Sequence, residues 1–326
     1  MSGANVEVYS VDPSTGALTK ASGSPFNLGV GVNDPYSLIA HPNGQWVYVC
    51  DYASNVMAAF SLSSAGAPTG ITSAHMTSSA GCDWNQGFTI TPNGKYLYAA
   101  DADPWISVFT IDQTTGALTA EAGNLTGGST LIAIAATDSY VYAADNPTNT
   151  IYVYKINSDG TLTAVTSKSV SSTYNLASAA LDRTGKYLYV GDTAGRLYGY
   201  SVGSDGSLTS LGSPITLQGT SPNAEWQIVF SVDNKFMYVS DTGKGVHALT
   251  FDASTGAAAE LSASPYQTAG GGTHGVAVDP SNKFVYSDDH YVNIAGWARD
   301  STTGALSGRM DTTSSGGVVV GVAVTY

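Results

Sequence analysis

Charge is scarce in this sequence, and positive charge is scarcest. Only 11% of the 326 residues are Asp, Glu, Lys or Arg, and 12 Lys+Arg against 25 Asp+Glu leave a formal net charge of −13. An average soluble protein carries roughly 25% charged residues. Just four residues are arginine: Arg183, Arg196, Arg299 and Arg309. Phosphate backbones are bound by clustered Lys and Arg that displace counterions, so nucleic acid is excluded as a partner. Two cysteines, Cys50 and Cys82, exclude a disulfide-dense miniprotein. No apolar run approaches the roughly 18 residues of a spanning helix, so no membrane span is expected. The first residues, MSGANVEVYS, hold neither the basic nor the apolar region of an export signal. The abundant Gly, Ser and Thr imply a surface solvated by hydroxyls and backbone. That predicts an extracellular, cell-surface or periplasmic protein whose signal is not present in this chain.

What is present is a repeat. A turn of the type STGALT, TTGALT, SDGTLT or SDGSLT recurs, with its glycine at Gly16, Gly66, Gly116, Gly160, Gly206, Gly256 and Gly304. The spacing of 44–50 residues suits the blades of a propeller. Each repeat opens on a short apolar segment (SLIA, FTI, IVFSV, GVAV) and turns at HPNG, TPNG, DRTG or DPSN. It continues as QWVYVC, KYLYAA or KYLYVG, then as VEVYSV, ISVFTI or LYGYSV, before the Gly turn leads to a weak outer strand. Alternation of period two between Gly, Asn and Pro turns reads as four antiparallel strands per repeat. The expectation is an all-β fold, a single seven-bladed β-propeller domain over residues 1–326.

The tandem of an aromatic strand ending in Asp, TGALT, GSPF and then HPNG with VYV resembles the seven-bladed lactonase family. That family includes 6-phosphogluconolactonase-type and carboxymuconate cyclase propellers, and the likeness runs from Val6 to Tyr326. It implies the propeller fold, and a His, a Glu and one or two Arg around the channel mouth of active members. Here the approach to the first strand reads Gly-Thr-His at His274, with no adjacent Arg. A phosphorylated sugar acid therefore meets little positive charge. The ring of the family closes when the N-terminus supplies a second strand beside the C-terminal first strand, GVAVTY (321–326). That strand is missing before Val6, so the closing blade is expected to lack one strand. Truncation, a three-stranded blade, or self-association through a strand donated by another chain would each account for this.

Two registers are expected to ring the channel mouth. Asp51, Asp101, Asp145, Asp192, Asp241 and Asp289 end the second strands; a position repeated in six blades points to Asx-type loop stabilisation first and cation attraction second. Fifteen residues earlier stand Tyr36, Gln86, Thr130, Ala177, Trp226 and His274, with Val320 as the seventh member and Asp83, Trp84, Asn85 and Glu225 as neighbours. Tyr36, Asp83, Trp84, Gln86 and Trp226 are the ligand-binding candidates, unlike side chains converging as a small-ligand site requires. His274 and Glu225 are the proton-transfer candidates, and Arg196 or backbone N–H groups the oxyanion donors. His274, Asp289 and His290 form a mixed N/O set for a metal, weighed against plain surface. The remaining histidines, His41, His75 and His247, fall in other registers and make no constellation. Cys50 and Cys82 close neighbouring blades on one face and are a disulfide candidate, with two buried thiols as the alternative. Asn124-Leu-Thr is a lone glycosylation match, and the glycines before His274 read as a mobile connection. No cofactor is implied.

The functional expectation is a secreted or surface recognition scaffold that binds a small molecule, glycan or surface protein at the channel mouth. The alternatives are a lactone hydrolase or cycloisomerase acting on an unphosphorylated substrate, and a subunit of an assembly closed by strand donation.

Overall fold

The computed structural model describes residues 5–29, 32–33, 35–51, 54–77, 87–101, 103–220, 227–289, 293–314 and 322–324, with the backbone alone for Tyr36 and Leu125. Every regular element among them is a β-strand, and no helix is long and apolar enough to cross a membrane. Six sheets each hold four consecutive antiparallel strands in sequence order. We number them blades 1 to 6, over 35–75, 88–125, 131–169, 176–216, 228–260 and 276–313. Blades 2 and 4 carry one extra strand, Asn124–Leu125 and Ile215–Thr216, paired to the third strand where the outer strand has broken. The extra pairs were not foreseen from the sequence, whose outer strands have little apolar pattern.

The second strand of each blade is buried along its length, as in Trp46–Asp51 and Phe236–Asp241. A neighbouring sheet covers each of its faces, and such a strand reads as an apolar run. Apolar clusters join blade 1 to 2, 2 to 3, 3 to 4, 4 to 5 and 5 to 6. Two more join blade 6 to Tyr9, Val11 and Leu18, and Val6 and Leu28 to blade 1. The N-terminal segment therefore lies between the last blade and the first, and the sheets form a ring, a β-propeller.

That segment consists of two short ladders, Asn5–Val6 with Phe26–Asn27 and Tyr9–Val11 with Leu18–Lys20. The single strand expected over VEVYSV is split at Glu7 and Val8, and among the described residues no strand pairs with its inner side. The first strand expected at 321–326 is also not formed over 322–324. With no ladder partner there among the described residues, this stretch is held by side chains, Val322 and Val324 packing beside Phe284 and Tyr286.

The recurrent glycines acquire a reason from a lock between blades. Tyr48, Tyr98, Tyr189 and Tyr238 each donate a phenolic hydrogen bond to the turn glycine carbonyl of the next blade, Gly116, Gly160, Gly256 and Gly304. Tyr286 reaches Gly16 in the same way at 2.7 Å, across 270 residues of sequence. Burial raises these phenols above the ordinary 10, Tyr189 to about 12, so they remain donors. At Gly304 φ is +74°, and a Cβ would stand 2.2 Å from the Phe236 ring. Gly304→Ala combines a left-handed alanine with an overpacked contact, and we expect a loss of about 2–3 kcal/mol. Urea unfolding checks this; an unchanged midpoint would contradict the lock.

Candidate functional site at the channel mouth

The first strands begin and the second strands end on one face of the ring. Asp51, Asp101, Asp145, Asp192 and Asp241 are fully buried there, and Asp289 is 1% exposed. Their carboxylates accept backbone N–H bonds from adjoining loops: Asp145 from Ser129 and Thr130, Asp51 from Ser54, Asp289 from Asn293. Third-strand side chains complete several of them, Ser107 on Asp101 and Tyr198 on Asp192. The register is thus built into the loops, and little of its charge reaches solvent.

His247 joins this register, contrary to the expectation that it stands apart. Its Nε2 lies 3.3 Å from Asp241 and its Nδ1 2.7 Å from Glu260, with all three side chains buried. Ser264 Oγ and the Gln218 N–H complete Glu260. The link could not be read from sequence, because Glu260 stands on the outer strand thirteen residues away.

His274 is held more openly, with 13% of its side chain exposed. Its Nδ1 lies 3.5 Å from Oδ2 of Asp288, whose side chain is fully buried. Asp288 also accepts N–H bonds from His274 and Gly275 and the Thr273 hydroxyl. Ser240 Oγ of blade 5 donates to the His274 carbonyl, and Gln227 Oε1 accepts the Val276 N–H. The glycines leading here are packed rather than loose at Gly272, where a Cβ would stand 1.8 Å from the Thr242 carbonyl oxygen. Backbone bonds and the neighbouring blade fix the main chain at His274, and the ring faces Asp288 through Nδ1. The sequence signal for Asp288 was the doubled Asp of FVYSDD, where the second strands of other blades end in one.

Arg196 stands in blade 4. Its Nε donates to Asp192 at 2.8 Å, and its guanidinium carbon lies 4.8 Å from the Tyr174 ring centre and 6.0 Å from that of Tyr198. Arg183 donates to the Phe230 carbonyl at a turn. Arg299 is buried against Asp233. Arg309 lies on the outer strand Leu306–Thr313 beside Asp311.

Thr130 and Ala177 take the expected places at first strands, with Thr130 N–H on Asp145. Tyr36 lies within the strand Pro35–Ala40. Asp83, Trp84, Asn85, Gln86, Glu225, Trp226, His290, Val320 and Cys82 lie outside the described residues. Among the described residues no three metal-ligating side chains gather, and the Asp289 carboxylate is held by Asn293. In the glycosylation match, Thr126 is buried and donates to the Pro104 carbonyl. Cys50 is disulfide-bonded. Cys50→Ser removes that crosslink, and by the usual range for a native disulfide it lowers stability by about 2–4 kcal/mol in guanidinium unfolding; an unchanged curve would show the bond contributes nothing.

A ring of four-stranded sheets, with a His–Asp pair where the last blade's first strand begins, defines the class, a β-propeller. The profile described as "Lactonase, 7-bladed beta-propeller" matches residues 3–132 and 106–315. The chain belongs to this family. Comparison with curated proteins gave no significant match. Among solved structures, a Lactobacillus plantarum protein is 18% identical at a TM-score of 0.80, with 98% of this chain and 95% of that one covered. The Pseudomonas aeruginosa periplasmic gluconolactonase is 14% identical at 0.78, with 98% and 96% covered. A Bacteroides fragilis protein with the provisional name 6-phosphogluconolactonase is 20% identical at 0.77, with 98% and 93% covered. At these identities the likeness is one of fold. The family assignment favours the lactonase reading over the recognition scaffold, which nothing in these comparisons supports.

Proposed function

We propose that the protein hydrolyses an unphosphorylated lactone at the channel mouth. The observation that carries this reading is the His274–Asp288 pair in a lactonase-family propeller. Nε2 of His274 takes a proton from water as the water oxygen attacks the lactone carbonyl. The tetrahedral intermediate breaks its ring C–O bond, and the imidazolium returns the proton to the leaving alkoxide. The product is a hydroxy acid. Asp288 orients the ring and stabilises its cationic form, as a carboxylate beside a general-base histidine does. Glu225 is the second proton-transfer candidate of this reading.

The same reading makes the ring seven-bladed, with the ladders of 5–27 as the outer half of the seventh blade. Its support is the pair of contacts that continue the blade pattern on both sides, Tyr286 on Gly16 and Val8 at Gly66. Scarce arginine argues against a phosphorylated substrate, and a location outside the cytoplasm accords with the low charge. A pH-stat screen of aldonolactones and simple γ- and δ-lactones tests the activity. Acid release above the buffer rate for at least one is expected, and none for any would refute the reading.

A further inference from the structure

Arg196 is the arginine whose guanidinium edge is offered on the face that carries His274. Asp192 holds Nε, and Nη2 lies 3.3 and 3.5 Å from the hydroxyls of Ser172 and Thr173, at the weak limit of hydrogen bonding. Nη1 has no hydrogen-bond partner among the described residues, and the side chain is 25% exposed. The guanidinium also stacks beside Tyr174, which is 51% exposed, the highest value among the exposed large hydrophobic side chains. The loop 170–175 that presents Tyr174 is tied down by Ser172 Oγ, which donates to Asp192 and accepts from the Tyr174 N–H.

We infer that Arg196, Tyr174 and the Thr173 hydroxyl form a binding subsite for a sugar acid, a carboxylate carried on a polyol or pyranose. A guanidinium fixed at Nε presents its Nη edge to a carboxylate in the plane that such pairs require. An exposed tyrosine ring is a platform for the C–H face of a sugar, and the Thr173 hydroxyl matches one of its hydroxyl groups. The buried Asp192 carboxylate beneath already balances one positive charge. A monoanionic carboxylate is tolerated beside it, whereas a dianionic phosphate ester meets stronger repulsion. The subsite stands whether or not His274 hydrolyses lactones, since it needs only the geometry of blade 4.

Titration calorimetry with D-gluconate, D-galacturonate and trigalacturonate tests this on the intact protein, with methyl glucoside and inorganic phosphate as comparators. Sugar acids are expected to bind and methyl glucoside not to, with phosphate failing to displace gluconate at equal concentration. Tyr174→Ala and Arg196→Gln are each expected to weaken binding at least tenfold. Arg196→Gln disturbs Asp192, so Tyr174→Ala, at an exposed position, decides if the first variant fails to fold. Tighter binding of trigalacturonate than of galacturonate would place the uronate in a glycan, and equal binding would identify a free acid. No sugar-acid binding, binding unchanged in Tyr174→Ala, or displacement by phosphate would each overturn the inference.

Discussion

Replacing His274 by alanine is expected, on the proposed lactonase reading, to lower lactone turnover by roughly 10²–10⁴, the usual contribution of a positioned general base. The expectation rests on the placing of this ring: its Nδ1 faces a fully buried carboxylate, and its own backbone is bonded to that carboxylate and to Ser240 of the preceding blade. Asp288→Asn should act differently, because Asp288 positions the ring without touching substrate. It retains an acceptor of similar shape, so kcat is expected to fall about 10–100-fold with KM little changed. Glu225→Gln separates the two proton-transfer candidates. A fall with Glu225→Gln and none with His274→Ala would move the base to Glu225 and contradict the role given to His274. Circular dichroism of each variant separates lost chemistry from lost fold.

His247→Ala is expected to be among the most destabilising single changes in the molecule, by about 3–5 kcal/mol, because it leaves two buried carboxylates without their shared partner. For a chain of this size that is a fall in Tm of roughly 4–8 °C. The group also gives stability a pH dependence of defined sign. Burial opposes the charged form of His247, but its bonds to Asp241 and Glu260 outweigh burial and raise its pKa above 6.5. Its contribution is therefore complete below about pH 6.5 and fades as pH rises through the raised folded value. Burial likewise opposes ionised Glu260, but His247 and Ser264 outweigh it and hold the carboxyl below 4.5. That contribution is present above about pH 4.5 and is lost as pH falls through the lowered value. The network is strongest between these limits. Thermal unfolding from pH 4 to 9 should show stability declining above about pH 6.5 in the native protein and a flatter profile in His247→Gln. Parallel profiles would show that folding does not raise the pKa of His247.

The architecture was legible because a propeller repeats its grammar. The turn glycines, the Y-x-Y second strands and the terminal Asp recur in blade after blade; the first two meet between neighbouring blades, and the Asp bonds loops of its own blade. The Asp register was read as loop stabilisation for the same reason, and its burial agrees. Less was legible where strands are short and polar or where partners are distant in sequence. The extra strands at Asn124–Leu125 and Ile215–Thr216 have two residues each and no pattern of their own. The division of the N-terminal strand depends on what pairs beside it, which its own residues do not encode. His274 stood out as a candidate because its residue type is unusual for its register. Asp288 and Glu260 were missed because only the folded chain brings them to their histidines, across 14 and 13 residues.

The most direct test follows acid release from D-glucono-1,5-lactone and from its 6-phosphate in parallel, at constant pH and corrected for spontaneous hydrolysis. The account predicts that the native protein accelerates opening of the unphosphorylated lactone, that His274→Ala does not, and that the phosphate ester is the poorer substrate by kcat/KM. Faster turnover of the phosphate ester, or equal rates for the native protein and His274→Ala, would contradict it.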